Sequence, residues 1–370
     1  MKRLIALISI LIFNYLNGYS QIPLTTLPSG GNKKATVSEW VGLTNVSIEY
    51  SRPGVKGREG KIWGELVQPG FTDQGFGSSK AAPWRAGANE NTTISFSKEV
   101  MIDGQKLSAG KYGFFIAYDS IICTLIFSRN SNSWGSYFYR PDEDMLRIQI
   151  KPQHLDNSIE WMKFEFTNQT EDAATIALQW ERLSISFKIQ SNYINDQIAS
   201  FRNELRTDRG FIWQSWNQAA QWCVQKNVNL NEALMWADSA TSTNFGGDKS
   251  FQAWTTKSQI LHKLNRGLEA AELMKKILPL GTMIDLHQYG RQLIGLKMYK
   301  DALQVFKMNY EKHPNEFTTL VGLVRGNSAN GDFTSALKFA NQALPLAPDP
   351  NNKMNVDGMI KKLKEGKDVN

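Results

Sequence analysis

Apolar and polar residues follow two rhythms along this chain. Up to about Gln190 they alternate with period two; beyond it they recur at helical spacing. Val46-Ser47-Ile48-Glu49-Tyr50 puts three apolar side chains on one face, and Ile94 and Phe96 share a face in the same way. Val100-Met101-Ile102 runs into Asp103-Gly104, a hairpin signal, because a tight two-residue turn needs residues that accept positive φ. Ala109-Gly110 predicts a second turn before Lys111 to Tyr118 and Ile121 to Phe127, two runs apolar enough to be buried on both faces. Met145 to Ile150, Ile159 to Phe166, Thr175 to Trp180 and Leu183 to Ile189 follow, with Glu181-Arg182 as a tight connection between the last two. About nine or ten short strands without helical periodicity between them predict an antiparallel β-sandwich-like domain.

From Ser191 onward the pattern is of helix pairs, with a 34-residue repeat in its later part and a spacing that drifts from 34 upstream. Tyr299-Lys300-Asp301-Ala302-Leu303 aligns with Phe333-Thr334-Ser335-Ala336-Leu337, and His313-Pro314-Asn315 with Ala347-Pro348-Asp349. Gly290, Tyr299, Ala302, Phe306 and Pro314 stand at the offsets of a tetratricopeptide repeat, which this half resembles. Small Gly290 and Ala302 let two antiparallel helices approach, Tyr299 and Phe306 fill the gap between units, and Pro314 stops the second helix. Glu232-Ala233-Leu234 and Glu269-Ala270-Ala271 head two degenerate second helices, preceded by first helices at Trp213 to Gln225 and Phe251 to Leu264. Asn355 to Lys364 is expected to cap the array. The whole is read as an α+β multidomain chain: residues 1–20 a signal peptide, 21–190 a β-sandwich-like domain, 191–370 an α-solenoid of tetratricopeptide-like helix pairs.

The leader follows from the first residues. Lys2 and Arg3 precede an apolar run from Leu4 to Leu16, too short to span a bilayer, and Gly18-Tyr19-Ser20 offers small residues for cleavage before Gln21. The expectation is an exported chain, periplasmic or extracellular, with no transmembrane segment in its mature form. The net charge is +7, but the two leader cations depart and residues 21–190 carry 18 Lys/Arg against 18 Asp/Glu. No dense basic stripe with interleaved aromatics is present, so no nucleic-acid partner is expected. Cys123 and Cys223 fall in different halves and read as buried thiols.

One stretch of the first half is chemically dense. Trp84-Arg85-Ala86-Gly87-Ala88-Asn89-Glu90 packs an indole, a guanidinium, an amide and a carboxylate into seven residues. Joined by Arg52, Arg58, Trp134 and Tyr139, it is a candidate pocket for a small molecule or glycan, since arginine forks suit carboxylates and indole faces suit sugar rings. The alternative is a structural plug in which Arg85 pairs with Glu90, Asn89 caps the turn and Trp84 covers one end of the sandwich. Tyr50-Ser51-Arg52-Pro53 with Gly57-Arg58, the Trp84–Glu90 stretch, Gly104 with Leu107-Ser108-Ala109-Gly110-Lys111-Tyr112, and Trp134-Gly135 together resemble a family of secreted bacterial proteins, domain-of-unknown-function family 2911, over about residues 35–190. That resemblance implies a β-rich, exported domain often followed by helical repeats, and brings no catalytic residues with it.

Familiar catalytic sets are missing. The four His residues, 154, 262, 287 and 313, make no pair with metal-ligand spacing, and two separated Cys cannot build a zinc site. There is no Gly-x-Ser-x-Gly elbow and no phosphate loop; Gly54, Gly57 and Gly60 open no helix. Asp142-Glu143-Asp144 reads as a solvated turn rather than a calcium loop. Carboxylates able to meet in space, Glu49, Glu65 and Glu90, leave a carbohydrate-active or other hydrolytic enzyme at the Trp84–Glu90 corner as the second reading. The first is a non-catalytic binding or scaffold protein without cofactor or metal, whose repeats take a protein or peptide partner.

Overall fold

The computed structural model describes residues 30–370. The expected leader, residues 1–20, lies outside the described residues. The chain divides into two compact units between Gln197 and Ile198.

Ten strands build the first unit: β1 (Lys33–Val41), β2 (Thr44–Arg52), β3 (Thr92–Phe96), β4 (Val100–Ile102), β5 (Gln105–Leu107), β6 (Gly110–Ala117), β7 (Cys123–Ser128), β8 (Asp144–Ile150), β9 (Gln153–Thr167) and β10 (Ala173–Ser191). They form two antiparallel sheets, one in the order β1-β2-β3-β6-β7-β8 and one in the order β5-β4-β10-β9. Period-two alternation gives each sheet an apolar face, and the two faces meet. Ile48, Ile94, Phe114 and Phe127 of the first sheet share a core with Phe164, Ile176 and Phe187 of the second. The rings of Phe114 and Phe187 lie 5.7 Å apart, and those of Tyr50 and Phe164 4.9 Å apart. Each such buried side chain contributes about 1.5–3 kcal/mol. The Tyr50 hydroxyl is buried with its need met, accepting from the Phe164 N–H at 3.1 Å.

The outer face of β6 and β7 is buried too, as their apolar runs predict, although Ile121 and Ile122, at the head of the second run, lie before β7 and are exposed. Phe115 and Ile126 are covered there by Tyr139, whose ring lies 5.6 Å from that of Phe115. Tyr139 donates its hydroxyl to Asp144 Oδ2 at 2.6 Å and accepts from Arg147 Nη2 at 2.9 Å. Burial, then the Asp144 hydrogen bond and charge, push the Tyr139 phenol well above its ordinary range.

Two features depart from the sequence pattern. β1 is an additional edge strand, hydrogen-bonded only to β2 in the sheet order, with Trp40 66% exposed. The segment Thr175–Ile189 does not turn at Glu181-Arg182 but runs on as one strand, β10. Glu181, at φ 51°, absorbs the irregularity as a bulge with register shifts against β9. Its carboxylate is buried and accepts the Gly60 N–H.

Ten helices follow: α1 (Tyr193–Glu204), α2 (Trp213–Lys226), α3 (Leu230–Ala240), α4 (Phe251–Lys263), α5 (Gly267–Ile277), α6 (Met283–Gly295), α7 (Tyr299–Lys312), α8 (Phe317–Ala329), α9 (Phe333–Ala343) and α10 (Pro350–Lys364). Consecutive helices pack as pairs, α2 with α3, α4 with α5, α6 with α7 and α8 with α9. The first helices of successive pairs also touch, α2 on α4 and α6 on α8, so they line one side of the array. Phe306 of α7 is fully buried where three glycines make room for it. A Cβ on Gly290, Gly322 or Gly326 would stand 2.5, 2.7 or 2.8 Å from its ring. Ala302 and Ala336 are fully buried at the helix contacts, and Phe333 packs beside the latter cluster. Tyr299 stays at the rim, 37% exposed, rather than filling the space between units. The second helix of the Gly290 unit, α7, ends at Lys312, just before Pro314, with Asn315 left-handed at φ 60°. Pro348 precedes Asp349, whose side chain caps α10.

Candidate functional site

The Trp84–Glu90 stretch is held in shape by its own backbone. Ala86 and Asn89 take positive φ, 50° and 60°, and Thr92 Oγ1 donates to the Ala86 carbonyl at 2.8 Å. Successive side chains are thereby sent to different places. Arg58, Trp84, Arg85 and Asn89 line one pocket of about 510 Å³, together with Trp180 from β10. Glu90 and Trp134 line a separate cleft of about 350 Å³. Arg52 lines neither; its Nε donates to the Met162 carbonyl at 2.7 Å and pins β2 to β9. Tyr139 is buried beneath the Asp144–Arg147 pair described above.

The aromatic wall of the larger pocket is a cluster. Trp84 stacks on Trp180 with centroids 6.1 Å apart, and Trp63 meets both edge-on at 5.5 and 5.9 Å. The Trp84 indole N–H donates to the Gly87 carbonyl, and that of Trp63 to the Trp180 carbonyl. The Trp180 indole N–H is itself buried with no partner among the described residues. Arg58 is fixed by the carbonyls of Val55 and Gly54, at 2.9 and 2.7 Å. Arg85 donates to the Asn89 carbonyl at 2.8 Å and lies over the Tyr137 ring at 5.0 Å. Gly135 makes that placement possible, since a Cβ there would stand 2.4 Å from the guanidinium carbon. Glu90 has turned to other partners, accepting from Ser51 Oγ at 3.1 Å and lying 3.6 Å from Lys34 Nζ. In its cleft Glu49 pairs with Lys111 at 3.0 Å, and that hydrogen bond and charge hold the Glu49 carboxyl below its ordinary range. Both carboxylates of this cleft are therefore neutralised by lysines.

The helical unit carries a groove of about 610 Å³ on the side lined by the first helices. His287 and Arg291 come from α6, Arg325 from α8 and Lys362 from α10, and no carboxylate lines it. Ile284, Phe317, Val321 and Met359 supply apolar surface between the cations. None of Arg291, Arg325 and Lys362 forms an ion pair among the described residues. Burial, then the charge of Arg291, lowers the affinity of the Arg325 guanidinium for its proton, against the pull of Asp368. His287 is buried with Nδ1 unpartnered, and burial, then Arg291 and Arg325, push its imidazole down to about 4. At Gln288 the groove continues into a second stretch of about 290 Å³, bordered by Gln221, Gln252, Gln259 and Gln292.

The first unit has a family counterpart. Residues 32–189 match the family model described as a protein of unknown function, DUF2911. No curated protein matches the chain. Among solved structures, MamA from Desulfovibrio magneticus RS-1 is 15% identical, with 43% of this chain and 95% of that chain covered and a TM-score of 0.28. YrrB, described as a TPR protein with an unusual peptide-binding site, is 17% identical over 46% of this chain and 86% of that one, with a TM-score of 0.29. A tetratricopeptide repeat protein from Parabacteroides merdae ATCC 43184 is 17% identical over 47% and 68%, with a TM-score of 0.31.

Within the segment that matches this family model, sequence reasoning missed Trp180, which reaches the pocket from a strand far along the chain. It also missed the cations of the groove. A signal for two of them is present, since Arg291 and Arg325 are separated by 34 residues, one repeat length, and so occupy equivalent positions on α6 and α8. Among the described residues no group of three or more His, Cys, Asp or Glu could hold a metal ion, and no helix is long and apolar enough to cross a membrane.

Proposed function

We propose that this chain is an exported, non-catalytic binding protein whose helical repeats hold an acidic, partly apolar segment of a protein partner. One observation carries the reading: the groove gathers Arg291, Arg325 and Lys362 with no carboxylate among its lining residues. Arginine forks in a partly dry groove suit carboxylates, and the apolar residues between them suit a neighbouring aliphatic or aromatic side chain. The glutamines beyond Gln288 offer both donors and acceptors, the complement of an extended peptide backbone. The Trp84–Glu90 corner carries no equal claim to catalysis, because Glu90 opens into a different cleft from Trp84 and Arg85.

The test is fluorescence anisotropy with labelled peptides carrying Glu or Asp beside Leu or Phe, against amide-substituted and basic counterparts. The acidic peptides are expected to bind, more weakly as salt rises. Arg291→Glu, at an exposed position, is expected to weaken them about tenfold or more without altering the circular dichroism spectrum. Equal affinity for acidic and amide peptides, or an unchanged affinity in the variant, refutes the reading.

Export rests on Lys2, Arg3 and the apolar run from Leu4 to Leu16. N-terminal sequencing of the chain recovered from its native host is expected to begin at Gln21; a chain retaining Met1 refutes it.

A further inference from the structure

The pocket of the first unit is built for a ligand of a different kind, independently of the groove. Its wall is the part-exposed Trp84 indole, backed by the buried Trp180 stacked against it. Arg58 and Arg85 stand beside that wall, and among the described residues neither forms an ion pair with a carboxylate. Both are held in place before any ligand arrives. Arg58 is fixed by two backbone carbonyls, Arg85 by the Asn89 carbonyl, the Tyr137 ring and the bare backbone of Gly135. Guanidinium groups fixed in this way lose little rotamer freedom when they take an anion, so the donors they have left are already placed for recognition. Side-chain amides of Gln68 and Gln74 border the same space.

Each feature narrows the ligand. Two unpaired guanidinium groups call for an anion, and their planar forks match a carboxylate. An indole wall calls for a flat or weakly polar face, such as the C–H face of a pyranose. Amides able both to donate and to accept suit hydroxyl groups, which do the same. Asp73, the one carboxylate on the lining, is exposed and lies 3.2 Å from Lys80, so it does not neutralise the arginines. We infer that the pocket between Trp84, Arg58 and Arg85 binds a sugar that carries a carboxylate, a uronic-acid-type ring, with its acid on the arginines and its ring on the Trp84 indole. No bond is made or broken; the pocket recognises and holds.

The experiment is isothermal titration of the full chain with trigalacturonate, and with methyl galactoside and acetate as the neutral-ring and ring-free comparisons. Trigalacturonate is expected to bind at least about tenfold more tightly than either, since each comparison keeps only one of the two recognition elements. Leu66, half-exposed on the lining, gives a variant that leaves the core untouched. Leu66→Glu places a negative charge in the pocket and is expected to weaken trigalacturonate about tenfold, with an unchanged melting temperature and unchanged affinity of the groove for acidic peptides. Arg85→Lys keeps the charge and loses the fork, and is expected to lower affinity severalfold. Absence of trigalacturonate binding up to about 10 mM, equal binding of methyl galactoside, or indifference to Leu66→Glu overturns the inference whatever the groove does.

Discussion

Phe306→Ala is expected to lower the unfolding free energy of the helical unit by about 3–5 kcal/mol, read as a shift in the urea midpoint of the far-ultraviolet circular dichroism signal. The ring is fully buried and serves three neighbours at once, Gly290 of α6 and Gly322 and Gly326 of α8. Those glycines have no side chain with which to close around a smaller residue. The void therefore keeps most of the ring's volume, and the penalty falls toward the upper end for an aromatic truncation. The same geometry predicts the reverse substitution. Alanine normally stabilises a helix interior by about 1 kcal/mol over glycine. At Gly290 its Cβ would stand 2.5 Å from the Phe306 ring, so Gly290→Ala is expected to be destabilising. Combined with Phe306→Leu it is expected to recover part of the loss, because the added methyl then occupies vacated space. A Phe306→Ala chain within about 1 kcal/mol of the parent would remove this account of the repeat contact.

Glycine and phenylalanine at those offsets are also what made the second half legible. Small residues at Gly290 and Ala302 and a large one at Phe306 encode a close helix crossing directly in the sequence, and the crossing is present. α1 left no such mark. Only Ile198 along its length is buried, so no apolar stripe announces it. In the first half, alternation revealed the longer strands that bury a face in the core, but not the three-residue β5, which buries only Leu107. β1 escaped because it is an edge strand whose side chains are mostly half-buried or exposed. At Glu181-Arg182 a local signal misled: a polar pair between two apolar runs looks like a turn, yet a single positive-φ residue with a buried hydrogen-bond partner makes it a bulge.

The polar corner was conspicuous in the sequence because its residues are adjacent. Adjacency did not say which side each faces. Positive φ at Ala86 and Asn89 divides them, sending Arg85 to the Tyr137 ring and Glu90 to Ser51 and Lys34. Arg52 joins the candidate pocket in the sequence as a fork suited to carboxylates, but its guanidinium ties two strands together. Trp180 reaches the pocket from β10, far along the chain from Trp84, a relation no local motif carries. The groove is intermediate. The repeat period alone relates Arg291 to Arg325, whereas Lys362 arrives on α10, outside that period.

His287 makes the groove's charge measurable as pH-dependent stability. Its imidazole is held at about 4 in the folded chain, against an unperturbed value of 6.5, by burial first and by Arg291 and Arg325 next; the backbone of Thr318 opposes them. Between those two values the unfolded chain binds the proton and the folded chain does not. Stability from this group is therefore fully present above about pH 6.5 and is lost as pH falls toward 4. At about 1.4 kcal/mol per unit, the loss across the window reaches about 3 kcal/mol. Other groups titrate there too, so the measurement is a difference between the parent and His287→Leu in urea unfolding across the window. Leucine replaces a buried ring whose Nδ1 has no partner, and at neutral pH the two chains are expected to lie within about 1 kcal/mol. As the pH falls their curves are expected to diverge, with the leucine chain the more stable; parallel curves would show that His287 is protonated as easily folded as unfolded. An acidic peptide seated on Arg291 and Arg325 supplies the opposite charge. It is expected to raise the folded-state value of His287 and shallow the parent's slope, tying the same residue to stability and to occupancy of the groove.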